Sequence, residues 1–277
     1  MGNRPWPIFG PRSPARQAPP SRRARPAGAC PAELGKGAVV RLPSHCRVLA
    51  CKVLAHELRH LGVEDRQAVY LDQGLHRYPD DLRQRVGEEL EKLEQDPQAR
   101  TVILGYGYCG GGLEGLASRR VRLVAPRAHD CIPLLLGRLP QGAGVDVGGT
   151  FYLSPGWVDF GKTPYTEYFE TAARFDEETA LWCGRQMLKA YTEVVLIRQG
   201  TLFRPHHREQ GQAMARLFGL AYRETPGGLG WLEKVLSRQE DDRVMVVEAG
   251  QPLRQDMFTA VAGRTSASDP VCPCRTS

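Results

Sequence analysis

The sequence predicts an α/β fold, a parallel or mostly parallel sheet of βα units with helices on both faces. Three observations predict it. Short apolar runs alternate with amphipathic stretches, as RVLAC (47–51) before LAHELRHLG, AVYLD (68–72) before PDDLRQRVGEELEKLEQ, TVILGYG (101–107) before GGLEGLASR, and VRLVAP (121–126) before DCIPLLLG. The runs are unbroken, as in strands covered on both faces. Consecutive short parallel strands need crossover helices, which this alternation supplies. Further strands are read at TFYLS (150–154), EVVLIRQG (193–200) and VMVVEAG (244–250), with helical stretches near 165–191, 205–222 and 228–239. In PDDLRQRVGEELEKLEQDP, Leu82, Val86, Leu90 and Leu93 recur at helical spacing, and Asp80 and Asp81 follow Pro79 in the first turn, where the helix dipole favours acids. Its charges are those of an ordinary surface helix.

A chain of 277 residues with 42% hydrophobic content is long enough for a full core. The net charge of +6 is concentrated at the start: residues 1–44 hold eight Lys or Arg against Glu33 alone, a net of +7, so the remainder is close to neutral. A general electrostatic grip on nucleic acid is therefore not expected. Residues 1–42 read as a disordered basic Pro/Arg/Ala-rich extension, 43–255 as the α/β domain and 256–277 as a disordered tail. No apolar stretch follows the basic start as a secretory signal requires, and no run approaches a membrane span. A cytoplasmic protein is the expectation, with its cysteines reduced.

Of the eight cysteines, Cys30, Cys272 and Cys274 fall in the two tails. Cys46, at a strand start, and Cys183, inside a helical pattern, read as packed side chains, which is the common state of a free cysteine. His56, His60, His206 and His207 lie on helical stretches and read as exposed. The other groups share one place. Ligands of open parallel sheets bind beyond the carboxyl ends of the strands, and each of the first four connections puts a Cys or His there: Cys51, then His76, then Cys109, then His129, Asp130 and Cys131. A cysteine at a helix start has its pKa lowered, and thiolate with imidazole suits zinc or an iron–sulfur centre. Asp130 can orient an imidazole or act as acid or base. Gly110, Gly111 and Gly112 depart from the dinucleotide fingerprint; at a helix start their N–H groups would suit an anion, and otherwise they form a tight turn. Trp157, with Tyr106, Tyr108 and Tyr152, is read as a wall of the same cleft.

The blocks ACKVLAHEL, QGLHRYPDDLR, ILGYGYCGGGLEGL, VAPRAHDCIPLLLG and GTFYLSPGWVD together resemble the uncharacterised family numbered 1638 among domains of unknown function, over roughly residues 45–250. The resemblance places weight on Cys51, Glu57, His76, Cys109, His129, Asp130, Cys131 and Trp157. It also implies a link to corrinoid-dependent methyl transfer, with a corrinoid protein as partner. The basic N-terminal extension departs from the family pattern. The expectation is a metal-dependent protein with a small-molecule ligand. Cys51, His76, Cys109 and Cys131 are its ligands to zinc or an iron–sulfur cluster, Asp130, His129 and Glu57 its acid–base groups, and Gly110, Gly111, Gly112 and Trp157 line the ligand site. Two alternatives stay open: a non-catalytic binding or accessory protein, and a metal-free thiol enzyme with Cys109 or Cys131 as nucleophile and His129 as base.

Overall fold

The structure is a computed structural model that describes residues 39–138 and 149–258, so Cys30, Cys272, Cys274 and most of both tails lie outside the described residues. Strands and helices alternate in the order β1 (Cys46–Cys51), α1 (Ala55–His60), β2 (Ala68–Leu71), α2 (Pro79–Gln95), β3 (Thr101–Gly105), β4 (Arg122–Pro126), α3 (Ile132–Leu136), β5 (Thr150–Leu153), α4 (Pro155–Phe160), α5 (Pro164–Arg174), α6 (Glu177–Met187), β6 (Glu193–Arg198), α7 (Pro205–Phe218), β7 (Ala221–Pro226), α8 (Gly230–Ser237) and β8 (Val244–Val247). They form two sheets: a five-stranded one in the order β2-β1-β3-β4-β8 and a three-stranded one in the order β5-β6-β7. All pairings are parallel except β4 with β8, where Leu123 lies opposite Val247 in an antiparallel edge.

The unbroken apolar runs explain the centre of each sheet. Every residue of β3 is buried, and Val194 to Ile197 of β6 are fully buried. Burial on both faces is what crossover helices provide, and α2 contributes Leu82, Val86 and Leu90 from one stripe. One core surrounds the five-stranded sheet; a second, built on Leu153, Val194, Leu196, Met214 and Phe218, surrounds the three-stranded one.

The two sheets meet through the segments at their carboxyl ends. Gly156, after β5, lies so close to the turn after β1 that a Cβ there would stand 1.8 Å from the carbonyl oxygen of Val53. The Gln199 side chain, after β6, donates to the Leu135 carbonyl, beyond β4, at 2.6 Å. Lys162 N–H donates to Gln73, beyond β2, at 3.1 Å.

Four expectations are corrected. GGLEGLASR forms no α-helix: Cys109, Gly110 and Gly111 have φ of 51°, 68° and 100°, and a run of left-handed residues cannot continue a right-handed helix. The stretch 165–191 is two helices, because Asp176 caps α6 afresh with its Oδ1 accepting from Thr179 N–H at 2.7 Å. Strand β7, AYRETP, was not read because it is an edge strand that buries no residue fully and shows no apolar run. Finally, the folded region extends past both expected boundaries: Val40 N–H donates to Leu61 at 2.7 Å, Leu42 is buried, and Phe258 is buried against Tyr108.

Candidate functional site

At the carboxyl edge of the five-stranded sheet, Cys51 is the last residue of β1, Cys109 follows β3 and Cys131 caps α3 after β4. All three are buried. The backbone brings the last two together: Tyr108 N–H donates to Ala128 at 2.9 Å and Cys109 N–H to His129 at 2.7 Å, which lays the β3 loop along the β4 loop. Gly107 permits that approach, since a Cβ there would meet the Asp130 backbone nitrogen at 2.6 Å. The thiols then sense one another. Burial pushes Cys51 up to about 12; burial also raises Cys109, with Cys51 and Asp130 adding to it; burial raises Cys131, with Asp130, Cys51 and Cys109 adding and the Trp157 indole opposing. The expectation of thiols acidified at helix starts is thus reversed, because desolvation disfavours the thiolate and no helix start of any length faces Cys109.

Around the thiols stand groups with unmet polar atoms. The Tyr106 ring stacks on His76 at 5.9 Å, and its buried hydroxyl, close enough to be affected by Cys51 and Cys109, has no partner. The buried indole Nε1 of Trp157 has no partner other than the Cys131 thiol beside it. Buried polar atoms are nearly always satisfied, by water or an ion where protein supplies nothing. His76 hydrogen-bonds the Gln73 carbonyl through Nδ1 at 3.0 Å; burial lowers its pKa, and Asp130 opposes this. Asp130 reaches solvent at the rim, yet enough protein surrounds it to raise its carboxyl, against the Ile132 N–H it accepts at 2.8 Å and the neighbouring His129 and His76. His129 contributes its carbonyl to the loop contact, and its side chain lies toward solvent.

The glycines form a tight turn. Gly112 packs against Leu82, where a Cβ would stand 2.4 Å from the side chain, and the Gly111 carbonyl accepts from Arg83 at 2.9 Å. The helix start that would have offered their N–H groups to an anion is not formed.

A second cluster was missed in the sequence. Helix α4 opens with Ser154, whose hydroxyl accepts from Trp157 N–H at 3.3 Å, and with Pro155 at the first position. Two residues along a helix turn it by about 200°, so Trp157 and Asp159 point to different sides. Asp159 accepts from three imidazoles: His56 at 2.7 Å, His206 at 2.9 Å and His207 at 3.3 Å. Burial raises this carboxyl, but the hydrogen bonds from His206, His56 and His207 outweigh it and hold the group below its ordinary value. The reading of these histidines as exposed is corrected for two of them: His207 is buried and His56 is half-buried. His60 and His206 are exposed as expected, although His206 is drawn onto Asp159. Glu57 belongs with this cluster. It is fully buried with both carboxylate oxygens unpartnered, and burial, with Asp159 adding, pushes it up to about 8.

The available signal was the strand-end rule itself. Asp159 follows β5 and the His206–His207 pair follows β6, so the logic applied to the first four strands reaches them too. Among the described residues, ligand atoms of Asp159, His206 and His207 lie within 4.8 Å of one another, a closeness the three thiols do not reach as a set.

No curated protein and no solved structure matches this chain. Residues 70–236 match the family model described as "Protein of unknown function (DUF1638)". That span holds His76, Cys109, Cys131, Trp157, Asp159 and both α7 histidines, while Cys51, His56 and Glu57 precede it. It exceeds half of the sequence, and the chain therefore belongs to the DUF1638 family.

Proposed function

We propose that this protein is metal-dependent and that Cys51, Cys109 and Cys131, with His76, hold a thiophilic metal centre at the carboxyl edge of the five-stranded sheet. The observation that carries the reading is the meeting of three buried thiols from three separated connections, beside a tyrosine hydroxyl without a partner and an indole N–H turned to the Cys131 thiol. Thiolate bonds to zinc of about 2.3 Å would draw sulfurs to about 4 Å from one another. A cluster with several irons spreads its thiolates further apart than a single zinc does, so the two metals make different demands on this site. Asp130 and His129 at the rim are the acid–base pair of this reading, and a small molecule enters past them. A free thiol nucleophile is disfavoured, because such catalysis needs a lowered pKa and burial raises all three. The corrinoid-dependent methyl transfer implied by the family resemblance would use this centre; a change in cobalamin absorbance on mixing with the loaded protein tests it.

The deciding experiment is metal and acid-labile sulfide analysis of protein purified without oxygen. A stoichiometric centre is expected in the full chain and its loss in Cys109→Ser, with folding retained. Cys46→Ser is the control, since Cys46 is buried at the opposite end of β1. Anaerobic protein without iron or zinc, or Cys109→Ser with undiminished metal, would overturn the reading.

A further inference from the structure

The second cluster carries a reading independent of the thiols. Among the described residues, the ion pairs of Asp159 run only to imidazoles: His56 at one carboxylate oxygen, His206 at the other, and His207. The residue next to His56 is Glu57, a buried carboxyl with no hydrogen-bond partner and with Asp159 as its charged neighbour. Two acidic groups thus share one region without a lysine or arginine paired to Asp159. A bound cation would balance them.

The spacing to the carboxylate suits one. Donors held about 2.0–2.2 Å from a single ion lie about 3.0–3.5 Å apart for angles between the octahedral and the tetrahedral, and the imidazole-to-carboxylate separations are 2.7, 2.9 and 3.3 Å. Among the described residues His56 does not lie within 4.8 Å of both Asp159 and His206, so an ion would draw the two imidazoles together about the carboxylate they already share. Proton placement then separates the three histidines. The Arg204 backbone N–H donates to Nδ1 of His207 at 2.9 Å, so Nδ1 carries the lone pair and the proton sits on Nε2, aimed at Asp159. A ring protonated there cannot give Nε2 to a metal. It acts instead as the outer hydrogen-bond donor that holds a ligating carboxylate in place. Neither His56 nor His206 has, among the described residues, a hydrogen bond that fixes its tautomer, so each can release the Nε2 proton to solvent when an ion binds.

We propose that Asp159, His56 and His206 form a two-histidine, one-carboxylate site for a divalent first-row cation such as Zn²⁺ or Fe²⁺, with His207 as the positioning residue for the carboxylate. Two histidines and one carboxylate leave coordination positions open. The His206 side chain is 56% exposed, so those positions are open to solvent, where water or a substrate oxygen can enter.

The test titrates metal-free full-length protein with Co²⁺, followed by absorption, and with Zn²⁺, followed by calorimetry. Cobalt on the thiols gives thiolate charge-transfer bands, whereas cobalt on this site gives ligand-field bands without them. One such equivalent should persist in Cys109→Ser and disappear in Asp159→Asn and in His206→Ala. His207→Gln should weaken it about 10- to 100-fold, the usual effect of losing an outer-shell partner. His206→Ala changes an exposed side chain, so it keeps the test decisive if Asp159→Asn does not fold. Unchanged uptake in His206→Ala, or cobalt spectra showing thiolate ligation only, would overturn this site and leave the thiol reading standing. Loss of the charge-transfer bands alone in Cys109→Ser would support both.

Discussion

Glu57 is where burial and charge conflict most directly. With no partner for either oxygen and its pKa pushed up to about 8, the folded protein holds a proton there that the unfolded chain releases near the ordinary glutamate value. Stability should therefore be full below about pH 4.5 and fall as pH rises toward 8, by up to about 1.4 kcal/mol per pH unit. Glu57→Gln keeps the shape and removes the titration. Denaturant unfolding of the metal-free variant should show this slope abolished and stability above wild type near pH 8; equal pH dependence in the two proteins would show that Glu57 is solvated. The residues differ in how legible they are. Cys51, Cys109 and Cys131 stood out because cysteine is rare and each directly follows a strand. Asp159 did not, because an aspartate in a helical stretch is ordinary until three imidazoles from distant segments reach it.

Among the elements, α4 joins the two clusters, with Trp157 toward Cys131 and Asp159 toward the histidines. Its placement depends on Gly156, since the approach to Val53 leaves no room for a side chain and the obstructing atom is backbone. Gly156→Ala should destabilise by at least the roughly 1–3 kcal/mol of an overpacked core and should weaken metal uptake at both centres. Gly87→Ala is the contrasting case: it lies inside α2, its added Cβ would meet only Leu116 at 3.8 Å, and helix propensity predicts a gain of up to about 1 kcal/mol. Thermal melts of the two variants should move in opposite directions; a Gly156→Ala melt equal to wild type would mean α4 can shift without cost. The same scale shows what pattern reading misses. Central strands announce themselves as apolar runs, whereas β7 is held by pairing with β6 and by ion pairs of Arg223 with Glu193 and Arg208 with Glu224, and none of these leaves a local signature.

For the whole molecule, the extent of the folded region is testable at its first described residues. Removing residues 1–38 should leave the fold intact. Removing 1–42 also takes away the Leu42 side chain, buried in the main core, and the Val40 hydrogen bond to Leu61, which should cost about 2–4 kcal/mol from one apolar side chain and one hydrogen bond. Equal melting temperatures for the two truncations would place the boundary at residue 43 after all. The sequence by itself determined the fold class, three of the four leading βα units and the three thiols at the strand ends, because strand burial and helix amphipathicity are written in short-range spacing. It left open that β5, β6 and β7 form a separate sheet whose carboxyl edge meets that of the first. Only the tertiary structure decided this, through contacts such as Gly156 on Val53 and Gln199 on Leu135, which depend on packing between segments far apart in the chain. That meeting brings His56 from one sheet to Asp159, His206 and His207 from the other, so the second cluster exists only once the fold is complete.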